Sequence, residues 1–247
     1  MTDFVRYKVV LAYDGTAFSG MQRQRHGRSV QAAVETALHK IGWKGKSILS
    51  AGRTDAGVHA SGQVIAFDLA WKHSKQDLMN ALNAGLQKDV AAKSVEMVRE
   101  DFHPRYSAKV RHYEYRLLCQ PQPDPLRERY AWRVWPAVKL APLRRASMSL
   151  VGEHNFAAFG SPPKKGGSTV RVVYETGWQK TADDEFLFSV AALSFLYHMV
   201  RRMVGLQVKV GQGFAEPEIV QSLLNDKGAE VKELAPPQGL TLVAVEY

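Results

Sequence analysis

Arg6-Tyr7-Lys8-Val9-Val10-Leu11-Ala12-Tyr13, followed at once by Asp14-Gly15, reads as a β-strand that ends in a turn. β-Branched and aromatic side chains suit extended backbone, and an Asp-Gly pair tolerates the reversal after it. Moving outward, Ser29 has the form of a helix cap. Behind it Val30, Ala33, Val34, Ala37, Leu38 and Ile41 recur at the spacing that lines one helical face. Residues 47–51 and 63–69 read as two further strands, separated by a glycine-containing segment at 52–62. Ser74 and Asp77 have the form of a capping box and open a second helix running to Leu86, and residues 92–99 read as a fourth strand. The order is β-α-β-β-α-β, the ferredoxin-like arrangement in which two helices cover one face of an antiparallel sheet.

The rest of the chain reads in the same way. Strand 111–119, helix 140–151, strands 170–180 and 185–193, helix 196–210 and strand 240–245 make a second set. The expected fold class is therefore α+β, with two related halves at residues 1–105 and 106–247 and a cleft between them as the natural place for a site. Long connections are expected at 121–129 and 161–168; the second carries Lys164 and Lys165 among prolines and glycines.

Composition narrows the class of partner. At 247 residues and 45% hydrophobic, the chain can bury one large core or two modest ones. Lys and Arg number 33 against 24 Asp and Glu, and the net +9 attracts polyanions, with nucleic acid first among them; a basic balance alone also fits an ordinary soluble protein. Asp3, Arg6 and Lys8 interrupt what would have to be an apolar export signal. Residues 186–200 are the most apolar stretch, but they fall short of the ~20 needed to span a membrane and include Ser189, Ser194 and His198. Cys119 is the sole cysteine, which leaves no internal disulfide or Cys-cluster zinc site and suits a reducing, cytoplasmic location. P-loop, dinucleotide-binding and zinc-deaminase signatures do not occur, and the eight histidines lack ligand spacing, so no metal or cofactor is expected.

Ala51-Gly52-Arg53-Thr54-Asp55-Ala56-Gly57-Val58-His59 joins two expected strands, and its glycines allow a tight turn that displays Asp55. The positive charge of Arg53 favours an ionised carboxylate, fit to act as nucleophile or base. An Asx turn, with Asp55 bonded to its own backbone, is the other reading of the same residues. On the strand at 111–116, alternation places Arg111, Tyr113 and Tyr115 on one face, a stacking surface beside a cation that suits an unstacked nucleotide. Tyrosine is also an ordinary strand residue, and Tyr115 reads as core. On the helix at 196–210 the apolar face runs through Leu196, Met199, Val200 and Met203, with His198, Arg201 and Arg202 off its centre. Arg201 sits where a carboxylate in the expected cleft could reach it. Basic residues gather at Arg23, Arg25 and Arg28, at Lys139, Arg144 and Arg145, and at Lys164 and Lys165; each cluster also reads as a solvated face.

The segment Gly52-Arg53-Thr54-Asp55-Ala56-Gly57-Val58-His59-Ala60 closely resembles the signature of the TruA family of tRNA pseudouridine synthases. Ser29-Val30-Gln31, Asp101-Phe102-His103-Pro104-Arg105, Arg111-His112-Tyr113-Glu114-Tyr115, His198-Met199-Val200-Arg201 and Gly239-Leu240-Thr241-Leu242 follow in that family's order, so the resemblance covers almost the whole chain. It implies the pseudouridine synthase fold, two ferredoxin-like halves sharing an extended, mostly antiparallel sheet with a central cleft. It also implies a cofactor-free isomerase that flips uridines out of the 3′ side of the tRNA anticodon stem-loop, at tRNA positions 38–40, and works as a homodimer. Position by position, it implies that Asp55 is the catalytic carboxylate and that Tyr113 packs on the target base, with help in proton removal as a further role. Arg201 would pair with Asp55, Arg53 would hold the nucleotide's backbone, and Leu242 would join the substrate-binding set, with Arg23, Arg25, Arg28, Lys164 and Lys165 on the RNA. The sequence departs from the family at Met21, usually tryptophan, and at Tyr197, often histidine. Competing readings are a non-catalytic tRNA-binding or chaperone protein of the same fold, and a metal-dependent RNA hydrolase, against which the scarcity of clustered acids counts.

Overall fold

The computed structural model describes residues 4–226 and 228–247; Asp3, part of the export-signal reading, lies outside them. The chain divides into two compact units, residues 1–109 with 242–247 and residues 110–241.

The first unit grows from β1 (Val5–Tyr13), in which Tyr7, Val9, Leu11 and Tyr13 are buried in strict alternation. β1 pairs antiparallel with β3 (His59–Leu69) on one side and with β4 (Val90–Val98) on the other, so the order is β4-β1-β3 with β10 (Leu240–Glu246) next and β2 (Leu49–Ser50) also on β3. Two strand expectations shift for a reason of pairing. β3 starts at His59 rather than 63 because Tyr13 of β1 pairs with Ala60, and the expected strand at 47–51 shrinks to the two residues that find partners, opposite Ala66 and Ile65. Gly62 permits the close approach of β10, since a Cβ there would lie 2.2 Å from the Val243 carbonyl oxygen.

α1 (Val30–Lys40) is capped by the Ser29 hydroxyl, which accepts from the Ala32 amide. It buries Val30, Val34, Ala37 and Leu38, the expected face, with large apolar side chains contributing roughly 1.5–3 kcal/mol each. Glu35 on the same helix is also buried, and its carboxylate accepts from the Ile48 amide, Gln31 and Arg23. α2 (Lys75–Gly85) begins at the full Ser74–Asp77 capping box and packs on α1 with Leu78 and Leu82 buried.

In the second unit β5 (Val110–Leu118) pairs with β9 (Glu185–Ala192), β9 with β8 (Val170–Ala182) and β8 with β7 (Gly152–Asn155), all antiparallel, while β6 (Trp132–Arg133) lies parallel to β5. The molecule is thus α+β and mostly antiparallel. β6, β7 and α5 (Ile219–Asn225) were not expected from the sequence. α3 (Leu140–Met148) stops before 151 because the chain turns into β7 at Gly152, whose φ of +110° is open to glycine. α4 (Met199–Gly211) begins three residues later than the apolar spacing suggests, because Tyr197 is tied by a β-bridge to Ser161 and His198 is left-handed at φ 64°. Among the described residues no helix is long and apolar enough to cross a membrane.

Candidate functional site

Residues 51–58 form a loop between β2 and β3, leaving the sheet at Ala51, whose amide donates to Val64, and returning where the Val58 amide donates to the Asp55 carbonyl. Asp55 is half-buried near its tip, between exposed Arg53 and exposed Ala56. The residues around it are fixed from two sides. The Met21 amide donates to the Thr54 carbonyl at 3.1 Å, and the Gly57 amide donates to the Phe18 carbonyl at 3.2 Å. Thr54 is buried, and its Oγ1 lies 2.7 Å from the equally buried Tyr13 hydroxyl. Gln63, fully buried within β3, donates from Nε2 to the Gly52 carbonyl. Two glycines make this contact possible: at Gly15 a Cβ would lie 2.0 Å from the Val58 carbonyl oxygen, and at Gly20, with φ +106°, 2.7 Å from that of Thr54.

Buried His59 lies with Nδ1 3.0 Å from the Gly15 amide nitrogen and 3.3 Å from Asp14 Oδ1. Burial pushes the Tyr13 phenol up to about 12, against the hydrogen bonds with Thr54 and Gln63, so it stays a neutral donor and acceptor. Met21, in place of the family's usual tryptophan, is 1% exposed and takes part through its backbone, accepting the Gln31 amide while donating to Thr54.

In the second unit the alternation along β5 holds, with Arg111, Tyr113, Tyr115 and Leu117 on the buried face. Tyr115 is core: its hydroxyl donates to the Pro236 carbonyl at 2.7 Å, a Cβ at Gly239 would sit 2.5 Å from its ring, and burial raises its phenol well above the ordinary value. Tyr113 meets Phe195 edge to face at 5.1 Å, and Arg111 donates to the Leu193 carbonyl. Arg201 is 9% exposed; its Nε donates to the Ala235 carbonyl at 2.8 Å while the Ala235 amide donates back to the Arg201 carbonyl. α4 is therefore laced to the strap at 231–236 at the arginine itself, which fixes the direction of the guanidinium.

The basic residues separate by what holds them. Arg28 grips Asp89 with two nitrogens at 2.6 and 2.8 Å and lies over the Phe18 ring at 4.3 Å. Arg23 pairs with buried Glu35 at 2.9 Å. Arg25, Lys164 and Lys165 are exposed, the two lysines at a turn closed from Gly167 to Lys164. Arg144 donates to the Trp178 carbonyl, and Leu242 is buried. Sequence reasoning did not single out Tyr13, Gln63, His59 or Asp89. Tyr13 and Gln63 were legible as strand residues, whereas the partner of Arg28 is 61 positions away and carries no local signal. Among the described residues no group of three or more His, Cys, Asp and Glu side chains is placed to hold a metal ion.

Comparison with known proteins agrees with the motif order. The tRNA pseudouridine synthase family pattern matches residues 9–107 and 146–247. The tRNA pseudouridine synthase A of Methylobacterium nodulans is 39% identical over 98% of this chain and 96% of its own length. That of Anaplasma marginale is 40% identical over 98% and 100%, and that of Pseudothermotoga lettingae 37% over 98% and 99%. With matches of this extent along both units, the chain belongs to the tRNA pseudouridine synthases, isomerases that convert uridine in tRNA to pseudouridine.

Proposed function

We propose that this enzyme isomerises uridines on the 3′ side of the tRNA anticodon stem-loop and that Asp55 is its catalytic carboxylate. The reaction breaks the bond from N1 to the ribose C1′, turns the base and joins C5 to C1′; a proton leaves C5 and one is gained at N1, so atoms and electrons balance without an external reagent. It needs a nucleotide drawn out of its stack, at a cost of a few kcal/mol, and an ionised carboxylate held beside C6 or the ribose. The observation that carries the assignment is the double clamp on the Asp55 loop: Thr54 and Gly57 are bonded to Met21 and Phe18, and Thr54 also to Tyr13. A carboxylate on an immobilised loop is preorganised, the condition under which positioning lowers a barrier.

Tyr113 packs on the target base, Arg53 holds the nucleotide's backbone, and Arg201 and Leu242 complete the substrate-binding set. Arg23, Arg25, Arg28, Lys164 and Lys165 meet the RNA; Arg23 and Arg28 do so while gripping Glu35 and Asp89, and Arg25 and the two lysines are exposed. The enzyme works as a homodimer in the cytoplasm, which light scattering of the purified protein and fractionation of cells check. The central test is conversion of unmodified tRNA in the presence of a chelator, with pseudouridine mapped by chemical sequencing, for wild type and Asp55→Asn. Product in the 3′ anticodon arm with wild type alone is expected. Full turnover by a folded, tRNA-binding Asp55→Asn protein would refute the role of Asp55.

A further inference from the structure

Tyr197 is 58% exposed, yet its ring is not loose: it stacks on His198 with centroids 3.7 Å apart and planes 26° from parallel. Neighbouring side chains on an extended chain point to opposite sides. His198 breaks that alternation by adopting φ 64°, a left-handed conformation uncommon outside glycine but enriched in histidine, and brings the two rings together. The backbone beneath is pinned. The Tyr197 amide donates to the Ser161 carbonyl at 3.0 Å, and Gly160 lies so close that a Cβ there would stand 2.4 Å from the Tyr197 carbonyl oxygen. Ser161 in turn opens the loop that carries exposed Lys164 and Lys165. Two residues before Tyr197, Phe195 packs on Tyr113.

A single exposed aromatic side chain is ordinary on a protein surface. This one differs in being backed by a second ring, fixed at its backbone and joined through its anchor to two ammonium groups. An ordered ring loses little freedom when a ligand arrives, and aromatic faces with nearby cations bind single-stranded nucleotides by stacking the base and meeting the phosphates. We propose that Tyr197, backed by His198, is a stacking platform for an unpaired tRNA base neighbouring the target uridine, with Lys164 and Lys165 engaging phosphates of the same strand. Tyr197 is a binding residue and takes no part in bond breaking. The proposal rests on the reading of the substrate as the anticodon arm.

The test uses full-length enzyme and unmodified anticodon stem-loop RNA with 2-aminopurine placed at each unpaired position in turn. Binding to wild type should quench one position beside the target, and Tyr197→Phe should keep that signal. Tyr197→Ala should lose it and bind about ten-fold more weakly, with kcat at saturating RNA unchanged. The paired variant Lys164→Ala, Lys165→Ala should lower the salt dependence of binding by roughly 1 to 2 units of logarithmic slope, a readout independent of any change at Tyr197. Equal quenching by the alanine variant, affinity within two-fold of wild type, or an unchanged salt slope in the lysine variant would overturn the proposal. Pseudouridine formation by wild type with no position quenched would sink the platform alone, whereas absence of pseudouridine in the arm would sink the underlying substrate assignment.

Discussion

Tyr13→Phe removes one oxygen from the support of the Asp55 loop. The Tyr13 hydroxyl and Thr54 Oγ1 are 2.7 Å apart, in residues 5% and 6% exposed, so the phenylalanine variant leaves the threonine hydroxyl buried without that partner. A buried polar group stripped of its bond costs about 1–3 kcal/mol, and a loss of about 2 kcal/mol is expected. In a chain of this size, that lowers the thermal midpoint by roughly 4–8 °C. Thr54→Val removes the opposite hydroxyl while Tyr13 keeps Gln63, so about 1 kcal/mol is expected there. The double variant strands neither group of the pair and should be more stable than the sum of the singles by about 1 kcal/mol.

Scanning calorimetry at neutral pH reads these values, and single-turnover pseudouridine formation should slow in Tyr13→Phe because Thr54 adjoins Asp55. The same tyrosine sets an alkaline limit. Burial lifts its phenol from 10.0 to about 12, so between those values the folded protein keeps a proton that the unfolded chain has lost. Its contribution is intact below the lower value and lost as pH rises through the upper, on the order of 2–3 kcal/mol across the window, and Tyr13→Phe should flatten that decline. An unchanged midpoint in Tyr13→Phe, or costs that add within about 0.3 kcal/mol in the double variant, would refute the reasoning.

Gly20→Ala should be more severe than its size suggests. The new methyl would meet the Thr54 carbonyl oxygen at 2.7 Å on a backbone at φ +106°, so a loss of roughly 2 kcal/mol or more and a fall in kcat are expected, read by denaturant unfolding and the tRNA assay. Asp89→Asn should cost about 1 kcal/mol at neutral pH, since Arg28 grips Asp89 with two nitrogens in a partly exposed pair. The hydrogen bond with Arg28, against some desolvation, holds the Asp89 carboxyl below 3.8. Its stabilisation is therefore complete above that value and lost as pH falls through the lower folded one. Acid unfolding of the asparagine variant should have a shallower slope there, and an identical acid limb would count against the pair.

Where a structural feature is made by neighbours in the chain, it was legible in the sequence. The Ser74–Asp77 capping box, the Ser29 cap and the buried face of α1 involve groups within one or two helical turns, and the alternation on β1 and β5 follows from strand geometry alone. The segment 52–60 announced itself because its glycines and its lone acid stand together in nine residues. The order of motifs along the chain was enough to identify the family, since it rests on residue identity and not on distance.

Contacts made by residues far apart were decided by the tertiary structure. β3 reaches back to His59 because Tyr13 supplies a partner there, and the strand at 47–51 contracts because only Leu49 and Ser50 find one. α4 starts late because a bridge to Ser161 and a left-handed His198 hold the preceding residues out of the helix. The RNA-facing appearance of Arg23 and Arg28 in the sequence gave no hint of Glu35 and Asp89, which bind them. Sequence determined local periodicity, caps and the chemical identity of the Asp55 loop; folding determined which hydroxyls, amides and carboxylates are brought from afar to satisfy one another. A hydrogen bond is directional over about 3 Å, and that separation is set by packing rather than by position in the chain.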